Sequence, residues 1–115
     1  MLSKAFRLKH KKDIEKALKE GRGFFSVFVI LKALENGQNQ TRVGFICSKK
    51  VSPKAVLRNK AKRQTTNIVE KYISQVRVGY DLVFICKREI IGADFEQIKM
   101  AVERLLKQSG ICKKI

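Results

Sequence analysis

Between Glu35 and Glu70 the chain carries no acidic side chain, yet the interval holds Arg42, Lys49, Lys50, Lys54, Arg58, Lys60, Lys62 and Arg63. Like charges at this density repel one another, so a fold that gathers them must hold them in water or set them against an anion. The stretch SKKVSPKAVLRNKAKRQ, residues 48–64, also has a helical period. Leu57, Ala61, Thr65, Ile68 and Tyr72 recur at steps of four, four, three and four, giving one moderately apolar stripe. Arg58 and Lys62 lie to one side of it, Asn59 and Arg63 further round, and Lys60 toward the other flank. Ser52 and Pro53 read as N-cap and first helical residue, since Ser accepts a bond from an orphan amide and Pro has no amide to leave orphaned. The sequence therefore predicts a surface helix with an apolar back and a cationic front.

The remainder supplies what that helix can pack on. A chain of 115 residues is one domain in length and buries roughly two thirds of the surface that its unfolded form exposes. With 44% hydrophobic residues, neither a metal nor a disulfide is needed to explain folding. The net charge of +16 opposes compaction and points to a polyanion: RNA, DNA or an acidic membrane surface. The competing reading is a lysine-rich surface that serves solubility, and the blockwise placement of charge argues against it. The apolar runs FFSVFVILKAL and LVFIC are too short to span a bilayer, which takes about 20 apolar residues. The start MLSKAFRLKHKK is basic but has no apolar signal core. Cys47, Cys86 and Cys112 fit no metal-ligand spacing, and two of them sit in apolar runs where Cys acts as a small hydrophobe. A soluble protein of the reducing cytoplasm is the expectation, with no membrane partner.

From Asp13, Ile14, Ala17 and Leu18 share one helical face, and Gly21 is expected to end that helix in the left-handed conformation. RGFFSVFVILKAL follows as a strand run interrupted at Ser26, with residues 22 to 26 available as a separate short strand. Asn36-Gly37 is a two-residue hairpin signal, which predicts an antiparallel pair between this run and TRVGFICS. DLVFICKR reads as a further strand, and residues 41 to 87 as strand, helix, strand with the two strands parallel neighbours. In ADFEQIKMAVERLLKQSG, Asp94 and Gln97 stand at capping-box spacing and Gly110 stops the helix. Phe95, Ile98, Ala101, Val102, Leu105 and Leu106 form its buried face. The order α-β-β-β-α-β-α predicts an α+β sandwich, with residues 1–115 a single domain and helices packed on a mixed four-stranded sheet.

No residue set reads as a catalytic site. His10 stands in a lysine-rich arm without a nucleophile and carboxylate at triad spacing. Asp13 with Glu15, and Asp94 with Glu96, resemble Mg²⁺-holding pairs, but each falls in a first helical turn, where the helix dipole favours negative charge. Residues 21–23, GRG, lack the Lys-Ser/Thr of a P-loop and precede a strand. RVGFICSK is only faintly similar to an RNA-recognition strand, because most of that motif's aromatic positions are missing.

SKKVSPKAVLRNKAKR resembles the second-helix motif of the bacterial ribonuclease P protein family, S-K-K-x-x-x-x-A-x-x-R-N-R-x-K-R. It appears here as Arg58, Asn59 and Lys60, followed by Lys62 and Arg63. LKHKKDIEKALKEGRGFFSVFVILKAL, RVGFICSKK and DLVFICKREI are similar to the family's other elements, so the resemblance covers nearly the whole chain. Lys60 replaces the second Arg and lacks its planar bidentate fork. Thr66 stands where many members have another Arg. Ile14 and Leu18 fill positions where aromatic residues often face the leader cleft, and so forgo stacking worth about 1–3 kcal/mol per base.

The resemblance implies a ribonucleoprotein endonuclease that removes the 5′ leader of precursor tRNA, with catalysis and most Mg²⁺ on the RNA subunit and no catalytic or metal site in the protein. It assigns Lys49, Lys50, Lys54, Arg58, Asn59, Lys60, Lys62 and Arg63 to docking on the catalytic RNA. It assigns Ile14, Leu18, Lys32, Arg42 and Ser48, with Lys49, to the cleft for the leader. The protein's expected effect is to broaden substrate recognition and lower the Mg²⁺ demand; its partners are the catalytic RNA and precursor tRNA, not a small molecule. An unusual left-handed crossover between the parallel strands is also implied, against the general right-handed rule. The rival readings are a general RNA-binding or ribosome-associated protein with no part in cleavage, and a standalone nuclease.

Overall fold

The computed structural model describes residues 6–112. The elements are α1 (Lys11–Glu20), β1 (Arg22–Phe25), β2 (Val29–Glu35), β3 (Arg42–Ile46), α2 (Ala55–Tyr72), β4 (Tyr80–Cys86) and α3 (Phe95–Ser109), with short 3-10 turns at Ile73–Gln75 and Arg88–Ile90. The strands form one mixed sheet in the order β1-β2-β4-β3. The expected element order, the α+β class and the parallel pairing of β3 with β4 are all present.

The alternation of side chains along each strand divides the molecule into layers. Leu31, Val43, Leu82 and Phe84 meet Ile68 of α2 and Ile98, Val102 and Leu105 of α3 on one face. Leu34, Ile46, Val83 and Ile85 meet Leu8, Ile14, Ala17 and Leu18 on the other, so α1 and the arm before it cover the opposite side. The 3.6-residue stripe of α2 buries Ala61, Thr65, Ile68 and Val69 and leaves its cations outward. Thr65 is fully buried because its hydroxyl donates to the Ala61 carbonyl at 2.9 Å. Truncating Leu105 or Ile98, both without solvent exposure, would cost about 2–5 kcal/mol through forfeited transfer energy and the cavity left behind.

Three local expectations are corrected. β2 does not pair with β3: it is antiparallel to β1 and β4, and β4 lies between it and β3. The Asn36-Gly37 turn does form, with Gly37 at φ 69° and the Gln38 amide donating to Asn36 Oδ1 at 2.8 Å. However, Asn36 also donates through Nδ2 to Asp81 at 2.9 Å, and its amide donates to the Gly79 carbonyl, so the turn is tied to β4 instead of closing a hairpin. The hairpin is the earlier one, between β1 and β2, where Ser26 Oγ donates to the Val29 carbonyl and accepts from the Val29 amide.

Helix α2 starts at Ala55 with Lys54 as N-cap, not at Ser52 and Pro53. Ser52 Oγ accepts from the Lys54 amide at 3.2 Å and thereby shapes a turn ahead of the helix. Gly21 is extended, at φ −70°. A side chain is excluded there by crowding, since an added Cβ would lie 2.3 Å from the Ala17 carbonyl oxygen and 3.2 Å from that of Ala33. The other end-signals hold: Asp94 and Gln97 form the reciprocal capping box, and Gly110 is left-handed.

Candidate nucleic-acid interface

β3 is an edge strand, and the N-terminal arm runs along its outer side. Arg7 bridges to Val43 in parallel register and the Leu8 amide donates to the Val43 carbonyl at 2.9 Å. Gly44 lies against the arm, where a Cβ would only come into ordinary contact with Leu8, at 3.4 Å from its carbonyl oxygen. The arm and α1 form one wall, β3 the floor and α2 the other wall of a groove of about 540 Å³. Arg7 and Lys9 face it from the arm, Ile14 from α1, Phe45 from β3, and Asn59, Lys62, Arg63, Thr66 and Asn67 from α2. Phe45 is held in place by stacking on Phe84, with centroids 5.7 Å apart. The groove thus sets cations and amides around an apolar floor, and among the described residues no carboxylate lines it. That combination suits a single nucleic-acid strand, whose phosphates need cations and whose bases need apolar area and amide partners.

The anticipated docking residues divide among three surroundings. Asn59, Lys62 and Arg63 line the groove. Arg58 turns back, its Nη1 donating to the Ser52 carbonyl at 2.8 Å, and so braces the loop before α2. Lys60 lies on the other flank, beside Ile90, Ile91 and Gly92. Lys49 and Lys50 are exposed on the turn after β3, where the Ser48 carbonyl accepts from the Val51 amide and Ser48 Oγ from the Lys50 amide. Lys54 is exposed at the start of α2. The cations therefore form a band from the 48–54 loop along α2, with the groove at one margin.

The anticipated cleft residues are more scattered. Ile14 enters the groove, whereas Leu18 packs on the cluster of Leu8, Ala17 and Val83 without lining it. Lys32 is on β2, two strands from β3, with its Nζ 6.0 Å from the Phe25 ring centroid. Arg42 binds the Asp81 carboxylate through Nε and Nη2, and Nη1 reaches Asp13 at 3.4 Å. Its pKa is raised, chiefly by the Asp81 hydrogen bond, with burial opposing and the charges of Asp81 and Asp13 adding. Ser48 stays in the loop. Of the carboxylates considered for metal binding, Asp13 pairs with Arg42 and Asp94 serves in the α3 cap, while Glu15 makes only an exposed contact with Lys11 at 3.9 Å and Glu96 is exposed in the first turn of α3.

Arg7, Lys9, Phe45 and Asn67 were not anticipated. For Phe45 a signal existed in the alternation of Val43 and Phe45 along RVGFI; for Arg7 and Lys9 the basic arm was visible, but nothing in it told which strand it would follow.

A sequence profile described as Ribonuclease P matches residues 2–110. The chain belongs to the ribonuclease P protein family. The ribonuclease P protein component of Alkaliphilus oremlandii is 33% identical over 91% of this chain and 91% of its own length. That of Synechocystis sp. is 32% identical over 96% and 90%. Among solved structures, a Staphylococcus aureus RNase P protein mutant with defective mRNA degradation activity superposes with a TM-score of 0.86 at 27% identity, covering 94% of this chain and 91% of that one. The RNase P protein from Thermotoga maritima gives 0.78 at 26% identity, covering 89% and 96%. Membership of the ribonuclease P protein family places the chain in tRNA processing, as the protein subunit of a ribonucleoprotein endoribonuclease. No helix among the described residues is long and apolar enough to cross a membrane.

Proposed function

We propose that this ribonuclease P protein is a non-catalytic, RNA-binding subunit that docks the catalytic RNA on the cationic band of α2 and the 48–54 loop, and holds the single-stranded 5′ leader of precursor tRNA in the adjoining groove. The observation that carries this reading is the groove itself: Arg7, Lys9, Lys62 and Arg63 converge on Ile14 and Phe45 with no carboxylate among them. A large folded RNA and a precursor tRNA repel each other. Cations between them lower that cost and release counterions, which favours assembly at modest ionic strength and lessens the need for Mg²⁺. Holding the leader as well as the tRNA body broadens the substrates accepted. Bond breaking and its Mg²⁺ belong to the RNA on this reading, which is supported by the engagement of Asp13 and Asp81 with Arg42 and of Asp94 in the α3 cap.

Reconstitution tests it. The purified chain alone should leave precursor tRNA intact, and adding the cognate catalytic RNA at low Mg²⁺ should give cleavage at the mature 5′ end. Cutting by protein alone, abolished by Asp13→Ala or Asp94→Ala, would identify a standalone nuclease. Equal affinity for unrelated RNAs, with no effect on cleavage by the catalytic RNA, would identify a general RNA-binding protein.

A further inference from the structure

At the β1 edge of the sheet, opposite the interface described above, a second groove of about 660 Å³ opens between the β1–β2 turn and α3. Val27, at 60% exposure, and Met100, at 63%, line this groove together with the half-buried Phe28, whereas the Phe25 ring lies over Gly23 and beside Lys32 on the other face of the sheet. An isolated exposed apolar residue needs no explanation, but a cluster of three marks a surface that something covers. The charges at the groove indicate what. Lys87 and Arg104 both line it, and among the described residues no carboxylate does. Lys87 is anchored, its Nζ donating to the Ser26 carbonyl at 3.3 Å. Gln108 adds an exposed amide able to meet a base edge.

We propose that this groove is a second seat for single-stranded RNA, with bases packed on Val27, Phe28 and Met100, phosphates on Lys87 and Arg104, and a base edge on Gln108. Apolar platforms flanked by cations and amides suit unpaired nucleotides, which present flat faces and a charged backbone together. A second copy of the chain fits poorly, because two bodies of net charge +16 would meet through a cationic rim. The β1 edge could accept a peptide strand, but its lining cations would then require an acidic one. The seat shares with the proposed function only the premise that the partner is RNA. It lies across the sheet, beyond β2 and β4, from the groove at β3.

The test uses the full chain with a hexauridine RNA carrying one 4-thiouridine. Titration should show two strands bound per chain, and photocrosslinking should give adducts on peptides containing residues 25–28 and 100–104. Val27→Ala with Met100→Ala should remove the second binding event and its adducts, with affinity there falling by roughly 5- to 30-fold as the bases lose their packing surface. Arg104→Gln should lower the log-log salt slope of that event by about 0.7. These side chains are exposed, and a thermal melt confirms that the variants fold. One strand per chain, or adducts confined to residues 7–14 and 59–67, would overturn the seat while leaving the proposed function standing. Unchanged RNA binding combined with loss of self-association in Met100→Ala would instead assign the groove to a second copy. Failure of the proposed function is read separately, from assembly of Lys62→Ala/Arg63→Ala with the catalytic RNA.

Discussion

The Arg42 guanidinium meets the Asp81 carboxylate at two points, Nε to Oδ1 at 2.9 Å and Nη2 to Oδ2 at 2.8 Å. The two residues are register partners on β3 and β4. Asn36 of the loop after β2 shares Oδ1, and Asp13 of α1 reaches the remaining side of Arg42. One ion pair thus joins two strands, a loop and a helix, with the Arg42 side chain 19% exposed and that of Asp81 6%. Asp81→Ala removes the main partner of a mostly buried cation and should destabilise the fold by about 3–5 kcal/mol in urea unfolding. A double change of both residues to Leu should recover part of that loss. A midpoint for Asp81→Ala equal to that of the wild type would mean that the pair does not support the fold.

Lys62 and Arg63 are exposed on α2. Their joint change to Ala should move unfolding by no more than about 0.5 kcal/mol, as usual for surface sites. Affinity for the catalytic RNA should fall, and its log-log salt slope should drop by roughly 0.7–0.9 for each phosphate no longer neutralised. Arg58 is different, because its bond to the Ser52 carbonyl makes it part of the loop. Arg58→Ala should weaken assembly and also cost about 1 kcal/mol of stability. Parallel losses of stability and binding in Lys62→Ala/Arg63→Ala would show that these cations are structural.

Tyr72 of α2 donates its hydroxyl to Glu103 of α3. That bond, then burial and the Glu103 charge, push the phenol up to about 12 from an ordinary 10.0. A folded-state pKa above the unfolded one stabilises the fold fully below the unfolded value and loses that effect as pH rises through the folded value. The Tyr72 contribution is therefore complete below pH 10 and fades between pH 10 and 12. The stability gap between wild type and Tyr72→Phe should shrink across that window in paired melts. A tyrosinate absorbance titration in which the component removed by Tyr72→Phe falls near 10 would refute the assignment.

Gly21 gives a stability prediction on steric grounds alone. Gly21→Ala would place a methyl 2.3 Å from the Ala17 carbonyl oxygen, a backbone atom that cannot swing aside. The end of α1 must move, at about 1–3 kcal/mol as for other overpacked sites. A thermal midpoint at or above the wild-type value would show that α1 shifts freely on the sheet.

What was legible in the sequence was local. The stripe of α2, the α3 capping box and the break at Ser26 each depend on neighbours within one or two turns, and each appears in the fold. Asn36-Gly37 was legible as a turn but not as a connection. Its geometry is set by Gly37 and the Asn36 side chain, whereas the insertion of β4 beside β2 depends on residues more than forty positions later, Asp81 among them. The same limit applied to the site. Lys62 and Arg63 could be placed on one helical face from their spacing, but Arg42 carried no sign that Asp81 would face it. Ser52 has the side chain of a cap and its hydroxyl does accept an amide, but the amide belongs to Lys54, one residue before the helix.

Ile14 is the residue through which leader binding can be tested by gain instead of loss. It lines the β3-edge groove with Phe45, while Leu18, one turn later, packs against Leu8, Ala17 and Val83 and does not reach it. An aliphatic side chain offers a base only area, and an aromatic ring there would add a stacking face worth about 1–3 kcal/mol. Ile14→Phe should therefore raise the preference of the reconstituted enzyme for leader-bearing over leaderless substrate by about tenfold, near the middle of that range. Leu18→Phe should leave the preference unchanged and at most alter the melting temperature. An unchanged ratio for Ile14→Phe, in a variant that melts normally and assembles with the catalytic RNA, would place the leader outside this groove.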